Sequence, residues 1–194
     1  MGQRLTVPYE APEGRRVNAI GAYFSHGPLA GAFEFESYAT LPKSRAKVRR
    51  KPLCEQAAEH GLRPEEVGRL DSDRFLAFVW RVAGRPADAG SEWQRERPLT
   101  VVIDNYSVHK SDRVKEERPR LAAAGIELFY LPPYSPELSR IEPIWQEVKH
   151  RELTERSHAQ AGSLKRAVDD ALARKAARLR AMRSQTDHSL HRTA

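Results

Sequence analysis

A single cysteine, Cys54, stands among 194 residues. One thiol forms no internal disulfide, which excludes a disulfide-stapled scaffold and fits a reducing compartment. No run approaches the roughly 18 apolar residues that a membrane span needs. The N-terminal residues lack the apolar centre of a signal peptide. Aromatic residues are scarce, at 8%, so the core must be lean. His150, His158, His188 and His191 have no partners at zinc-ligand spacing, and no zinc site is read. Internal repeats and low-complexity stretches are missing too. What the chain has in quantity is charge. Charged residues make up 30%, and the net charge is +7. The pI is near 9.7. A basic balance favours an acidic partner, and nucleic acid is the commonest. The length suits one domain with tails.

Hydrophobic periodicity orders the chain. Residues 16–24 read as a strand. Residues 32–38 alternate Phe33 and Phe35 against Glu34 and Glu36, a period of two that marks a second strand. Gly27, Pro28 and Gly31 between them predict a hairpin. Residues 43–51 carry six cations and no acid. Residues 52–60 suit a short helix stopped by Gly61, and Ser72–Val82 a longer one capped by Asp71 or Ser72. Leu99–Ile103 is short, apolar and β-branched, the pattern of a strand buried on both faces. Residues 112–124 form a helix ending at Gly125, with Pro119 expected to kink or split it. Residues 126–131 form the next strand, which predicts a parallel pair with a right-handed crossover. A proline-rich turn follows. Ile141, Ile144, Trp145 and Val148 then mark a helix with Glu142 in its first turn. Residues 163–183 form the last helix, apolar along Leu164, Val168, Leu172, Ala176 and Leu179 and cationic elsewhere. The tail from Ser184 reads as frayed.

The candidate chemistry lies in residues 101–149. Asp104 ends a buried strand, and catalytic groups of α/β sheets gather at that edge. Glu142 opens a helix that must pack beside the same sheet. Two carboxylates delivered by two rigid elements suit Mg²⁺ or Mn²⁺, which prefer oxygen ligands. Paired ions of this kind act on a scissile phosphate. Each acid also has a plainer reading. Asp104-Asn105 is also readable as strand-to-loop punctuation, the lesser reading on spacing alone. Ser139 with Glu142 is a capping box, weakened by Pro143. His109 alone reads as a turn histidine, and the cationic stretches as solvated faces.

Taken together, Asp104-Asn105 with His109, then Leu131-Pro132-Pro133-Tyr134-Ser135-Pro136-Glu137-Leu138, then Ile141-Glu142-Pro143-Ile144-Trp145 and Lys149, resemble the DDE transposases of the mariner superfamily. The bacterial insertion-sequence branch is the most similar in wording. Residues 17–23 are similar to that branch's second core strand. The resemblance implies an α/β, ribonuclease-H-like fold, the DDE transposase/integrase core. It implies metal-dependent cutting and joining of DNA in transposition. Asp104 and Glu142 stand where the family has its second and third catalytic acids, and would be the metal ligands. Asn105 and His109 stand at supporting positions. Lys110, Arg113, Arg140, Gln146 and Lys149 are the candidate DNA contacts.

The departures set further expectations. The family's first catalytic Asp lies on the strand before Val17, and upstream of Val17 only Glu10 and Glu13 are acidic. Helix-turn-helix modules have no counterpart, and Arg140 replaces a common proline. The expected fold is therefore that core truncated by its first strand, with a C-terminal basic helix. Residues 1–150 would be a partial DDE endonuclease domain, and 151–194 a helical extension and tail. The isolated chain is expected to be inactive, with a two-ion Mg²⁺ or Mn²⁺ site only where the missing Asp is supplied. Expected partners are DNA, an upstream transposase segment and a second copy of the chain, with no membrane. The expected location is the bacterial cytoplasm, at the nucleoid. Two alternatives stand: an inactive remnant that still binds DNA, and a small basic nucleic-acid-binding protein.

Overall fold

Alternating apolar residues build the first layer. In the computed structural model, which describes residues 16–41, 51–153 and 158–190, β1 (Arg16–Tyr23) pairs antiparallel with β2 (Phe33–Thr40). The register sets Gly21 opposite Phe35 and Ala19 opposite Ser37. The hairpin expected from the period-two pattern is thus present. The lead-in and most of the basic run at 43–51 lie outside the described residues; Lys51, at its end, pairs with Glu59.

Next come α1 (Leu53–Glu59) and α2 (Ser72–Val82). Asp71 is the cap of α2: its carboxylate accepts from the Arg74 amide at 2.9 Å. Ser72 instead donates to Ser111 Oγ at 2.7 Å, tying α2 to the start of a later helix.

β3 (Leu99–Ile103), α3 (Asp112–Ala123) and β4 (Ile126–Tyr130) form the strand–helix–strand unit, and β3 and β4 are parallel. Ser111 caps α3, and Gly125, at φ +77°, closes it in a conformation that a side chain would strain. Pro119 neither kinks α3 out of helical form nor splits it. Pro119 and Lys115 are both exposed, so the carbonyl deprived of its partner faces water.

β3 corrects a second expectation. Its residues alternate between inward and exposed, and Val102 and its register partner Phe129 are 54% and 53% exposed. The reason is coverage: α2 and α3 pack one face of this two-stranded sheet, and no described element covers the other. The two sheets are not hydrogen-bonded to each other. β1 and β3 therefore each keep one unpaired edge among the described residues.

α4 (Glu142–Glu147) runs into a single π turn, Val148–Glu152, before α5 (Ala161–Leu190). α5 outruns its expected end because residues 184–190 contain no glycine or proline to stop it. Nor is it an appendage beyond residue 150. Ala171, Leu172 and Ala176 join Phe33, Ile144 and Val148 in one core. Part of its cationic face turns inward. Lys165 is buried against Asp169 at 2.6 Å and Glu66 at 3.5 Å, and Lys175 is buried against Glu147. A buried ammonium is tolerated only when paired.

Two main cores result. One gathers α2, α3, β3, β4 and Ile20 of β1. The other gathers Phe33, α4, the π turn and α5. Each fully buried large side chain, such as Phe33 or Leu121, contributes about 1.5–3 kcal/mol.

Candidate active site

Asp104 is the first residue past β3, and buried Ile103 anchors it from behind. Its Oδ1 accepts from the Tyr106 amide at 2.9 Å and lies 2.9 Å from His109 Nδ1. The first bond is the turn-forming one expected of plain punctuation. The second is not local punctuation. With its proton on Nδ1, His109 donates to the carboxylate and fixes its plane. His109 is itself held firmly. Its ring lies 4.4 Å from the Phe75 ring, and its carbonyl accepts from the Tyr130 hydroxyl at 2.6 Å. Oδ2 of Asp104 has no partner among the described residues, and the side chain is 67% exposed.

Asn105 supports a different feature. Its Nδ2 donates to the Leu131 carbonyl at 2.6 Å, and the Leu131 amide donates to Ile103 at 2.8 Å. The ends of β3 and β4 are thereby locked, and the proline-rich turn leaves from a fixed point.

Glu142 arrives from the other core. Ile141 occupies the cap position of α4, with no side-chain cap bond. The Ser139–Glu142 capping box is not formed, and the Glu142 carboxylate has no partner among the described residues. α4 is placed by Trp145, whose ring meets Phe33 edge-on at 5.7 Å. Gly21 permits this contact: a Cβ there would fall 2.7 Å from the Phe33 ring and 3.0 Å from Trp145.

Asp104, Asn105 and Glu142 meet in one cleft of about 190 Å³, completed by Leu131, Pro132, Tyr134, Ser135, Pro136 and Ser139. Tyr134 and Ser139 join the site only through the fold, and the prolines around Tyr134 mark its turn as rigid. A larger cleft of about 340 Å³ lies between the π turn and α5, lined by Glu152, His158, Arg166, Asp170 and Arg174 among others. Its charges largely cancel, and no strand end reaches it, so the smaller cleft is the better candidate for chemistry.

The five candidate DNA contacts lie outside the cleft. Lys110, Arg140, Gln146 and Lys149 are exposed and unpaired among the described residues. Arg113 is engaged: it pairs with Asp73 at 3.0 Å and Glu117 at 2.9 Å, and these bonds hold its guanidinium above its ordinary range.

The oxygen donors suit a hard divalent cation, since Oδ2 of Asp104 and the Glu142 carboxylate are both uncommitted. Mg²⁺ commonly takes one or two carboxylates and completes its shell with water and phosphate. The number of donors fits one such ion and falls short of a two-ion centre. Among the described residues no group of three or more His, Cys, Asp or Glu side chains is placed to hold a metal ion. No helix among them is long and apolar enough to cross a membrane.

A protein-family model described as DDE superfamily endonuclease matches residues 56–165, a span that includes Asp104 and Glu142. No curated protein matches the chain.

Proposed function

Because the chain belongs to the DDE superfamily endonucleases, we propose that it is a catalytic portion of a mariner-like transposase of the bacterial insertion-sequence branch, acting on DNA. The observation that carries this reading is that Asp104 and Glu142, held by two separate cores, line one cleft. Asp104 and Glu142 would hold a divalent cation, which when bound polarises the scissile phosphodiester and lowers the pKa of a coordinated water or hydroxyl. His109 orients Asp104, and Asn105 fixes the turn between the two acids. Lys110, Arg140, Gln146 and Lys149 lie along the DNA backbone, and Arg113 joins them once DNA phosphate displaces one of its carboxylates.

Two acids do not complete a two-ion centre. A third acid, from a further strand, would complete it. The unpaired edges of β1 and β3, both next to the core under α2, would give such a strand a place to pair. Without it the chain binds DNA and does not cut. With it, two copies act on the paired ends of an element.

Two measurements test this. Mn²⁺ binding followed by electron paramagnetic resonance should show a site that Asp104→Asn or Glu142→Gln weakens at least tenfold. Plasmid nicking in Mg²⁺ should be undetectable for the chain alone, while electrophoretic mobility shifts show DNA binding that falls steeply with salt. Metal binding indifferent to both substitutions sinks the acid assignment. Nicking by the chain alone that survives Glu142→Gln would do the same.

A further inference from the structure

Tyr134 adopts φ +58°, the only non-glycine among the described residues with positive φ. For a bulky side chain that conformation costs on the order of 1–3 kcal/mol. No contact among the described residues offsets the cost. The residue is fully exposed, at 101%, and its side chain makes no hydrogen bond or ring contact among the described residues. Glycine or asparagine would occupy the position with less strain.

The turn nevertheless holds the residue rigidly. Pro132 and Pro133 precede it and Pro136 follows, each with a fixed φ. Asn105 pins the carbonyl of Leu131 at 2.6 Å, and Ser135 Oγ donates to the Pro133 carbonyl at 3.3 Å. Pro136–Leu138 then closes into a 3-10 turn. An aromatic plate is thus presented at the rim of the cleft that holds Asp104 and Glu142. A lone exposed aromatic residue is ordinary. One that is strained, braced by prolines and placed beside the uncommitted Oδ2 of Asp104 and the Glu142 carboxylate is not. Tyr106, also half-exposed, differs: its ring leans edge-on against His109 at 5.8 Å.

A flat π face beside a phosphate-handling site has a natural partner, a nucleobase. Inside a duplex both faces of every base are occupied by its neighbours. Only a base at a frayed end, or one swung out of the stack, presents a face to Tyr134. Resting on the DNA-cleaving reading above, we infer that Tyr134 stacks on an unpaired base next to the scissile phosphate, so that the site selects junctions where the duplex is already open. It is a positioning residue: it sets where the backbone lies, and the acids act on it.

Stacking of one base on an aromatic side chain is worth roughly a tenfold difference in affinity, within a range of about 5- to 160-fold. The test uses the full chain with two duplexes that differ in one feature: the terminal base pair is either matched or mismatched. Each carries 2-aminopurine at the terminal position. Fluorescence anisotropy should show the mismatched duplex bound about tenfold tighter, with quenching of the 2-aminopurine on binding. Tyr134→Ala should abolish both the preference and the quenching. Tyr134→Phe should keep both, since the face is retained and the hydroxyl is not used. Tyr134→Gly should unfold at the same or a higher temperature, because strain is relieved, which separates loss of stacking from misfolding. A preference that persists in Tyr134→Ala overturns the inference, as does its absence from the unmodified chain. Failure of that chain to bind either duplex overturns the DNA-cleaving reading itself.

Discussion

The two carboxylates of the cleft are held by different halves of the molecule, built to different standards. Glu142 belongs to the half in which Phe33, Ile144, Val148, Ala171, Leu172 and Ala176 form one core, with α5 laid across the hairpin. Asp104 belongs to the half built on β3 and β4, where α2 and α3 cover one face and Val102 and Phe129 stay exposed on the other. The helix that carries Glu142 is positioned by packing, and the carboxylate makes no polar contact among the described residues. The Asp104 side chain is positioned by polar contacts, from the Tyr106 amide and His109. An acid at a helix start inherits its placement from the helix. An acid on a loop past a strand end must be tethered individually.

That contrast breaks most visibly at Phe33, which is fully buried. Phe33→Ala should cost about 3–5 kcal/mol in denaturant unfolding, the usual range for such a cavity. Hydrogen exchange should accelerate more in β2 and α4 than in β3. An equal rise in both halves would show that they are one cooperative unit, and the distinction would fall.

A smaller effect is expected from Gly21→Val, which leaves the halves intact and shifts only the seam. The added side chain meets Phe33 and Trp145. Overpacking of this kind costs about 1–3 kcal/mol. The near-ultraviolet circular dichroism of tryptophan should change as α4 moves off the hairpin. An unaltered spectrum and melting temperature would mean that Gly21 does not set the position of α4.

The smallest expected effect probes the polar half through pH. Burial pushes the Glu117 carboxyl up, but Arg113, Arg120 and Trp80 more than offset it, so its folded pKa lies below the ordinary value. A carboxylate lowered in this way stabilises the fold above its unfolded pKa, near 4.3. That contribution fades as pH falls through the folded value. Glu117→Gln should therefore lower stability at neutral pH and flatten the acid limb of a stability-against-pH curve below about pH 4.5. A parallel loss at every pH would assign the effect to packing.

Much of the fold was readable from periodicity. The hairpin, α2, and the β3–α3–β4 unit appear where alternation or helical spacing predicts them, because each pattern maps directly onto one local geometry. Pro119 and the end of α5 misled. A proline disrupts a helix only where its freed carbonyl has no other recourse, and a polar tail frays only where something stops it. The inward turn of Lys165 and Lys175 was equally hidden: a lysine reads as surface until a buried acid from another element meets it.

At the site, residue types alone marked Asp104 and Glu142 but left each with a plainer alternative. Whether Ser139 and Glu142 cap a helix depends on where that helix begins. Pro143 favours a later start, and the packing of Trp145 on Phe33 beside Gly21 holds α4 in place. The amino-acid sequence by itself determined which elements form and which acids end or open them, since those are matters of local pattern and charge. The tertiary structure alone decided that the two acids face one cleft, that His109 leans on one of them, and that Tyr134 stands strained at its rim. The shared cleft joins residues far apart in the chain, and the other two depend on backbone geometry that residue types do not spell out.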